Sequence, residues 1–195
     1  MYAHMCADKT WPDESLGRLT LYLGGAKSGK TRLALARAET SPPPRLYLAT
    51  AQALDSEMAE RIRRHQAERG PGWQTLESPM TPDQTLDALE GNQVVLLDCL
   101  TLWLNNLLAT DAEDDLILAR TGALLKSIDA YAGPVIVVSN EVGGGIVPLN
   151  ALARRFRDLA GEINQRFAAQ ADQVVLAMAG LECPLKQRRP EAGNG

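Results

Sequence analysis

The sequence predicts an α/β protein with a mostly parallel sheet and helices on both faces. Three features carry this. Five short apolar runs have strand length without strict alternation, the pattern of strands buried on both faces. Segments of helical periodicity lie between them, and such alternation of strand and helix is what crossover-connected parallel sheets produce. A chain of 195 residues, 45% hydrophobic and 23% charged, has enough apolar side chains for one medium-sized domain.

Residues 1–18 are polar and unpatterned and read as an N-terminal extension. The first predicted strand is Leu19–Leu23, followed by a helix over Thr31–Glu39 that the triple proline Pro42-Pro43-Pro44 ends. Strand Leu46–Ala49 leads into a helix over Asp55–Glu68, which Gly70-Pro71-Gly72 ends. Helix Pro82–Leu89, strand Val94–Leu97, and helices Leu102–Ala109 and Asp114–Ala130 come next. Strand Val135–Val138, helix Asn150–Ala171 and strand Val174–Met178 complete a domain spanning 19–181. The stretch 182–195, with Lys186, Arg188 and Arg189 among Pro and Gly, reads as a solvated, frayed tail with no function of its own.

Composition narrows the partners. With 20 Lys+Arg against 24 Asp+Glu, the formal net charge of -4 lacks the global basic field of a bulk nucleic-acid binder, so small anionic ligands are favoured. Cys6, Cys99 and Cys183 are far apart and form no Cys-x-x-Cys pair, which indicates neither a disulfide framework nor a zinc knuckle. No run approaches the length of a membrane span and the start lacks the apolar core of a signal peptide, so a cytoplasmic location is expected.

The strongest motif is Gly24-Gly25-Ala26-Lys27-Ser28-Gly29-Lys30-Thr31, which matches G-x-x-x-x-G-K-[ST] between the first strand and the first helix. Glycines let backbone amides turn toward phosphate oxygens, and the helix N-terminus adds a favourable dipole. The pattern predicts a nucleoside-triphosphate site in which Lys30 reaches the β- and γ-phosphates and Thr31 ligates Mg2+. Asp98 ends another central strand, as a Walker-B type metal-positioning carboxylate does; the lesser alternative is a strand-end residue that caps the helix around Leu102, and both roles can coexist. Asn140-Glu141 follows a third strand, where ligands of parallel sheets gather. Glu141 is therefore a candidate to approach the reacting phosphate or its acceptor, or else a loop acid near solvent.

Of the two histidines, His4 lies in the extension. His65 stands on the helix over 55–68 in register with Glu57 and Arg61, on the border of an apolar stripe of Met58 and Ile62. Arg61, one turn earlier, can hold a phosphate beside it. A half-buried helix histidine among its neighbours is the commoner outcome of this spacing, which by itself does not make His65 catalytic.

Together these residues resemble the bifunctional adenosylcobinamide kinases and adenosylcobinamide-phosphate guanylyltransferases of cobalamin biosynthesis. The resemblance spans roughly Leu19 to Gly180 and rests on GGAKSGKT, on YLATAQALDSEMAERIRRH ending at His65, on LLDCLTLWLNN from Leu96, on SNEVGGGIVP from Ser139 and on LARRFRDLAGEINQRFAAQAD from Leu152. It implies a P-loop RecA-like fold and a homotrimer. It also implies that ATP or GTP phosphorylates adenosylcobinamide, and that His65 is then guanylylated by GTP and passes GMP to adenosylcobinamide phosphate. Within the last motif Arg155, Arg157, Asp158, Asn164 and Gln165 match the family pattern, without a role assigned to each. The other readings are a P-loop kinase with another small acceptor and a RecA-like ATP-dependent binding protein.

Overall fold

The computed structural model describes residues 16–52, Glu60, Arg63 and 69–187. One seven-stranded sheet runs in the order β3-β2-β4-β5-β1-β6-β7. Its strands are β1 (Leu19–Gly24), β2 (Arg45–Ala49), β3 (Trp73–Glu77), β4 (Val95–Asp98), β5 (Val135–Asn140), β6 (Gln173–Met178) and β7 (Leu181–Gln187). All neighbours pair parallel except β6 with β7, which are antiparallel. The helices among the described residues are α1 (Lys30–Ala38), α2 (Pro82–Asp87), α3 (Leu100–Leu108), α4 (Asp114–Ala130) and α5 (Ala151–Gln170).

Alternation along each strand divides the core in two, as the pleat requires. Leu21, Leu48, Leu97 and Val137 point to the face covered by α3, α4 and α5, where Trp103, Ile117, Leu124 and Phe167 are fully buried. Tyr22, Tyr47, Leu96 and Val138 point to the other face, with Ala34 and Ala38 of α1. Helices thus cover both faces, as expected from continuous apolar strands. No helix among the described residues is long and apolar enough to cross a membrane.

Two strands escaped the sequence reading. β3 has the polar sequence WQTLE and is mostly exposed, as an edge strand is; its pairing with β2 supplies the ordering that its composition does not. β7 corrects the reading of 182–195 as a frayed tail, because Leu181–Gln187 pairs with β6 and Lys186 donates to the Ala168 and Ala169 carbonyls at 2.9 and 2.8 Å. A cation at the C-terminal end of α5 meets the negative end of the helix dipole there. The expected helix over 55–68 lies outside the described residues except for Glu60 and Arg63, which are helical and form an ion pair.

Candidate active site

Parallel pairing brings the ends of β1, β5, β4 and β2 to one edge of the sheet: Gly24 pairs with Asn140, Asp98 with Val138, and Ala49 with Asp98. This carboxyl edge is where open α/β sheets take ligands. The loop from Gly24 to Thr31 leaves β1 there and enters α1 at Lys30. Lys27 and Gly29 both take positive φ, 56° and 92°, and so fold the chain tightly before the helix. No atom lies within 4 Å of the space a Cβ at Gly25 would fill, and Gly25, Ala26 and Lys27 are exposed. The Lys30 ammonium folds back over the loop, 3.1 Å from the Gly25 carbonyl. An exposed loop with a cation above it and a helix N-terminus below can take up a polyphosphate.

The β6–β7 turn braces this loop from behind. Gly180 N donates to the Ser28 carbonyl at 2.9 Å, and Arg32 Nη2 donates to the Gly180 carbonyl at 3.1 Å. A Cβ on Gly29 would stand 3.1 Å from the Gly180 Cα, so the approach of the two turns is close. Sequence reading missed this contact, since nothing local to Ala179-Gly180 points to a partner so distant in the chain.

Asp98 is half-buried, and the Tyr47 hydroxyl donates to its Oδ2 at 2.6 Å. Asp98 is the last residue of β4, and Cys99 after it occupies the N-cap position of α3. Thr31 and Asp98 offer hard oxygen donors, the chemistry Mg2+ requires, and a cation bound by so few protein ligands would complete its shell with phosphate oxygens and water. The donor set therefore fits Mg2+. Burial first, and the Asp98 carboxylate next, push the Cys99 thiol up to about 11, with Thr101 and Lys30 opposing. The thiol therefore stays protonated near neutral pH and is a poor nucleophile.

A polar relay lies beneath these groups. Thr50 Oγ1 donates to the Cys99 carbonyl and accepts from Cys99 N, both at 2.8 Å. Asn106 Nδ2 holds the Thr50 carbonyl at 2.8 Å, Asn140 Nδ2 reaches Thr101 Oγ1 at 2.6 Å, and Asn164 Nδ2 reaches the Asn140 carbonyl at 3.1 Å. These threonines and asparagines sit in segments far apart in the chain, and only folding shows that they are neighbours.

Glu141 is tied to the site through its backbone, its N–H donating to the Gly24 carbonyl at 3.0 Å. Its carboxylate is exposed and accepts from Gly143 N at 2.6 Å, inside its own turn. Arg155 binds Asp114 Oδ1 at 2.7 Å and the Ala112 carbonyl at 2.6 Å, joining α5 to the start of α4. Arg157 pairs with its neighbour Asp158, Nη2 to Oδ1 at 3.1 Å. Asn164 is buried and Gln165 is exposed. His65 and Arg61 lie outside the described residues.

Comparison with known proteins places this geometry. The chain matches the family described as cobinamide kinase / cobinamide phosphate guanyltransferase over residues 20–185. It is 47% identical over 167 residues to the bifunctional adenosylcobalamin biosynthesis protein CobP of Pseudomonas aeruginosa, covering 85% of this chain and 96% of that one. It is 39% identical over 181 residues to the bifunctional adenosylcobalamin biosynthesis protein CobU of Escherichia coli, covering 86% and 99%. Among solved structures, a prototypical ATPase from the type III secretion system of pathogenic bacteria superposes with a TM-score of 0.52 at 14% identity, over 89% of this chain and 57% of the other. A protein of Pyrococcus horikoshii superposes with a TM-score of 0.51 at 10% identity, over 90% and 89%. These likenesses concern the fold alone, and the fold class is P-loop RecA-like, with a mostly parallel sheet. The chain belongs to the cobinamide kinase / cobinamide phosphate guanyltransferase family.

Proposed function

We infer that this enzyme phosphorylates adenosylcobinamide with ATP or GTP and then transfers GMP from GTP to adenosylcobinamide phosphate through a guanylylated His65. The observation that carries the reading is the meeting of the Gly24–Thr31 loop, Asp98 and the start of the Asn140-Glu141 segment at one sheet edge in a chain of this family.

In the kinase step the loop amides and Lys30 hold the triphosphate, so that the acceptor hydroxyl meets the γ-phosphorus in line and the nucleoside diphosphate departs. Lys30 follows the charge that builds on the transferring group. Thr31 and Asp98 would hold Mg2+, which supplies charge neutralisation on the phosphates when bound. Glu141 is the residue we assign to approach the acceptor, its backbone tied by its N–H to the Gly24 carbonyl. In the second step the neutral imidazole of His65 displaces pyrophosphate from the α-phosphorus, with Arg61 beside it for the phosphate charge. The adenosylcobinamide phosphate then takes GMP from the histidine. Covalent transfer divides one displacement between two bulky anions into two.

A homotrimer is part of the same reading. Ile146 and Leu149 are 96% and 99% exposed, and Val147 and Leu152 lie beside them, which supports an apolar contact between copies. Light scattering behind size exclusion measures the assembly, and a monomeric mass overturns it.

Intact mass after incubation with GTP and Mg2+ tests the carrier directly. A gain of one GMP is expected, and an unchanged mass rejects the covalent step.

A further inference from the structure

Tyr47 is a buried polar side chain to which the mechanism above gives no role. It stands on β2 opposite Leu96, while Ala49 stands opposite Asp98. Two residues along a strand span about 6.6 Å, and the phenol bridges that rise to donate to Asp98 Oδ2 at 2.6 Å. This is the length of a charge-assisted O–H to carboxylate bond. Tyr47 is only 5% exposed, with Trp73 edge-on to its ring at a centroid distance of 6.2 Å and 80° between planes. The Arg69 guanidinium lies 3.7 Å from its centroid. Arg69 is itself anchored, donating from Nη2 to Thr75 Oγ1 at 3.1 Å, and Thr75 is the β3 residue paired with Tyr47. In the chain, Arg69 follows His65 by four residues. One line of contacts thus runs from Arg69, through Tyr47, to the carboxylate at the end of β4.

We propose that Tyr47 is a positioning residue for phosphoryl transfer, fixing the plane of the Asp98 carboxylate through Oδ2 so that Oδ1 is presented to the cation, with Arg69 holding the ring. A carboxylate tied by one oxygen loses its rotation, so no reorientation is needed when the metal-nucleotide arrives. Displacement of Arg69 removes the cation from the ring, so the device depends on Arg69 as well as on Tyr47. The inference rests on reading Asp98 as the metal-positioning acid.

The test is calorimetric titration of the full chain with guanosine 5′-(α,β-methylene)triphosphate, which His65 cannot cleave, once with Mg2+ and once with a chelator. The quantity read is the ratio of the two affinities. Tyr47→Phe should lower it about tenfold, the worth of one hydrogen bond to a charged group. Arg69→Gln should lower it about threefold, as loss of a cation over a ring does. Metal-free affinity should hold in both, and adding Tyr47→Phe to Asp98→Ala should cost nothing further. If Tyr47→Phe keeps the parent ratio while Asp98→Ala loses it, the positioning role is wrong and the metal reading stands. Equal weakening with and without Mg2+, at a lowered melting temperature, makes Tyr47 structural only and overturns the proposal. An unchanged ratio in Asp98→Ala overturns the metal reading, and the inference falls with it. If Tyr47→Phe does not fold, Arg69→Gln decides, because a parent ratio there overturns the line of contacts.

Discussion

Lys30 reaches the sheet edge from the start of α1 and Asp98 from the end of β4, and their substitutions should fail in different ways. Lys30→Ala leaves the loop backbone intact but removes the cation that sits 3.1 Å from the Gly25 carbonyl. Loss of such a transition-state contact costs about 2.7–4 kcal/mol, or 10² to 10³ in rate. Phosphorylation of adenosylcobinamide by the purified, folded variant measures it, and an undiminished rate contradicts the role. Asp98→Asn keeps the shape, and its amide oxygen can still accept from Tyr47, but the charge is gone. Turnover should therefore need more Mg2+ while metal-free nucleotide binding is kept; equal Mg2+ dependence in variant and parent would remove Asp98 from the metal site.

The phosphate loop is held in part by a turn distant from it in the chain. The β6–β7 turn places Gly180 at φ 79° and Ala179 at φ 53°, with Gly180 N on the Ser28 carbonyl. A valine at 180 has to adopt the left-handed region, which costs about 1–2 kcal/mol. Gly180→Val should lower the melting temperature by roughly 2–8 °C and weaken nucleotide binding with it, because the turn and the loop share that hydrogen bond. Scanning calorimetry with and without nucleotide reads both. A stability loss with unchanged nucleotide affinity means the turn braces only the sheet. Removing Leu181–Gln187 goes further, since it exposes the β6 edge and frees the α5 carbonyls that Lys186 covers. That truncated chain should be less soluble and melt earlier than the parent, which sedimentation and calorimetry can establish.

For the whole molecule, the two half-reactions proposed above should be separable by substitution. His65→Ala should lose guanylyl transfer and keep measurable kinase activity, because γ-phosphoryl transfer needs the loop, the metal and an oriented hydroxyl, whereas attack on the α-phosphorus needs an unprotonated ring nitrogen. Neither neighbour can replace it: Arg64 is protonated at any working pH, and the amide of Gln66 is a poor nucleophile. GTP labelled at the α-phosphate should leave an acid-labile, base-stable adduct on the parent chain. Label on His65→Ala would place the nucleophile elsewhere. Cys99 is the wrong candidate in that event, its thiol being buried and pushed up to about 11.

The α/β class, the phosphate loop and the strand-end positions of Asp98 and Asn140-Glu141 were legible in the sequence, because these are encoded locally. A buried parallel strand must be apolar along its length, and a loop that wraps phosphate needs glycines next to a helix start. The same locality explains what was missed. β3 and β7 owe their order to their partners rather than to their polar compositions, and 182–187 therefore read as part of a tail. Tertiary structure alone decided that Gly180 braces Ser28, that Asn106, Asn140 and Asn164 support the site from three segments, and that Tyr47 holds Asp98 while Arg69 holds Tyr47. Each of these contacts joins residues brought together by sheet order, and sheet order follows from how the whole chain buries its apolar faces rather than from any one window of sequence.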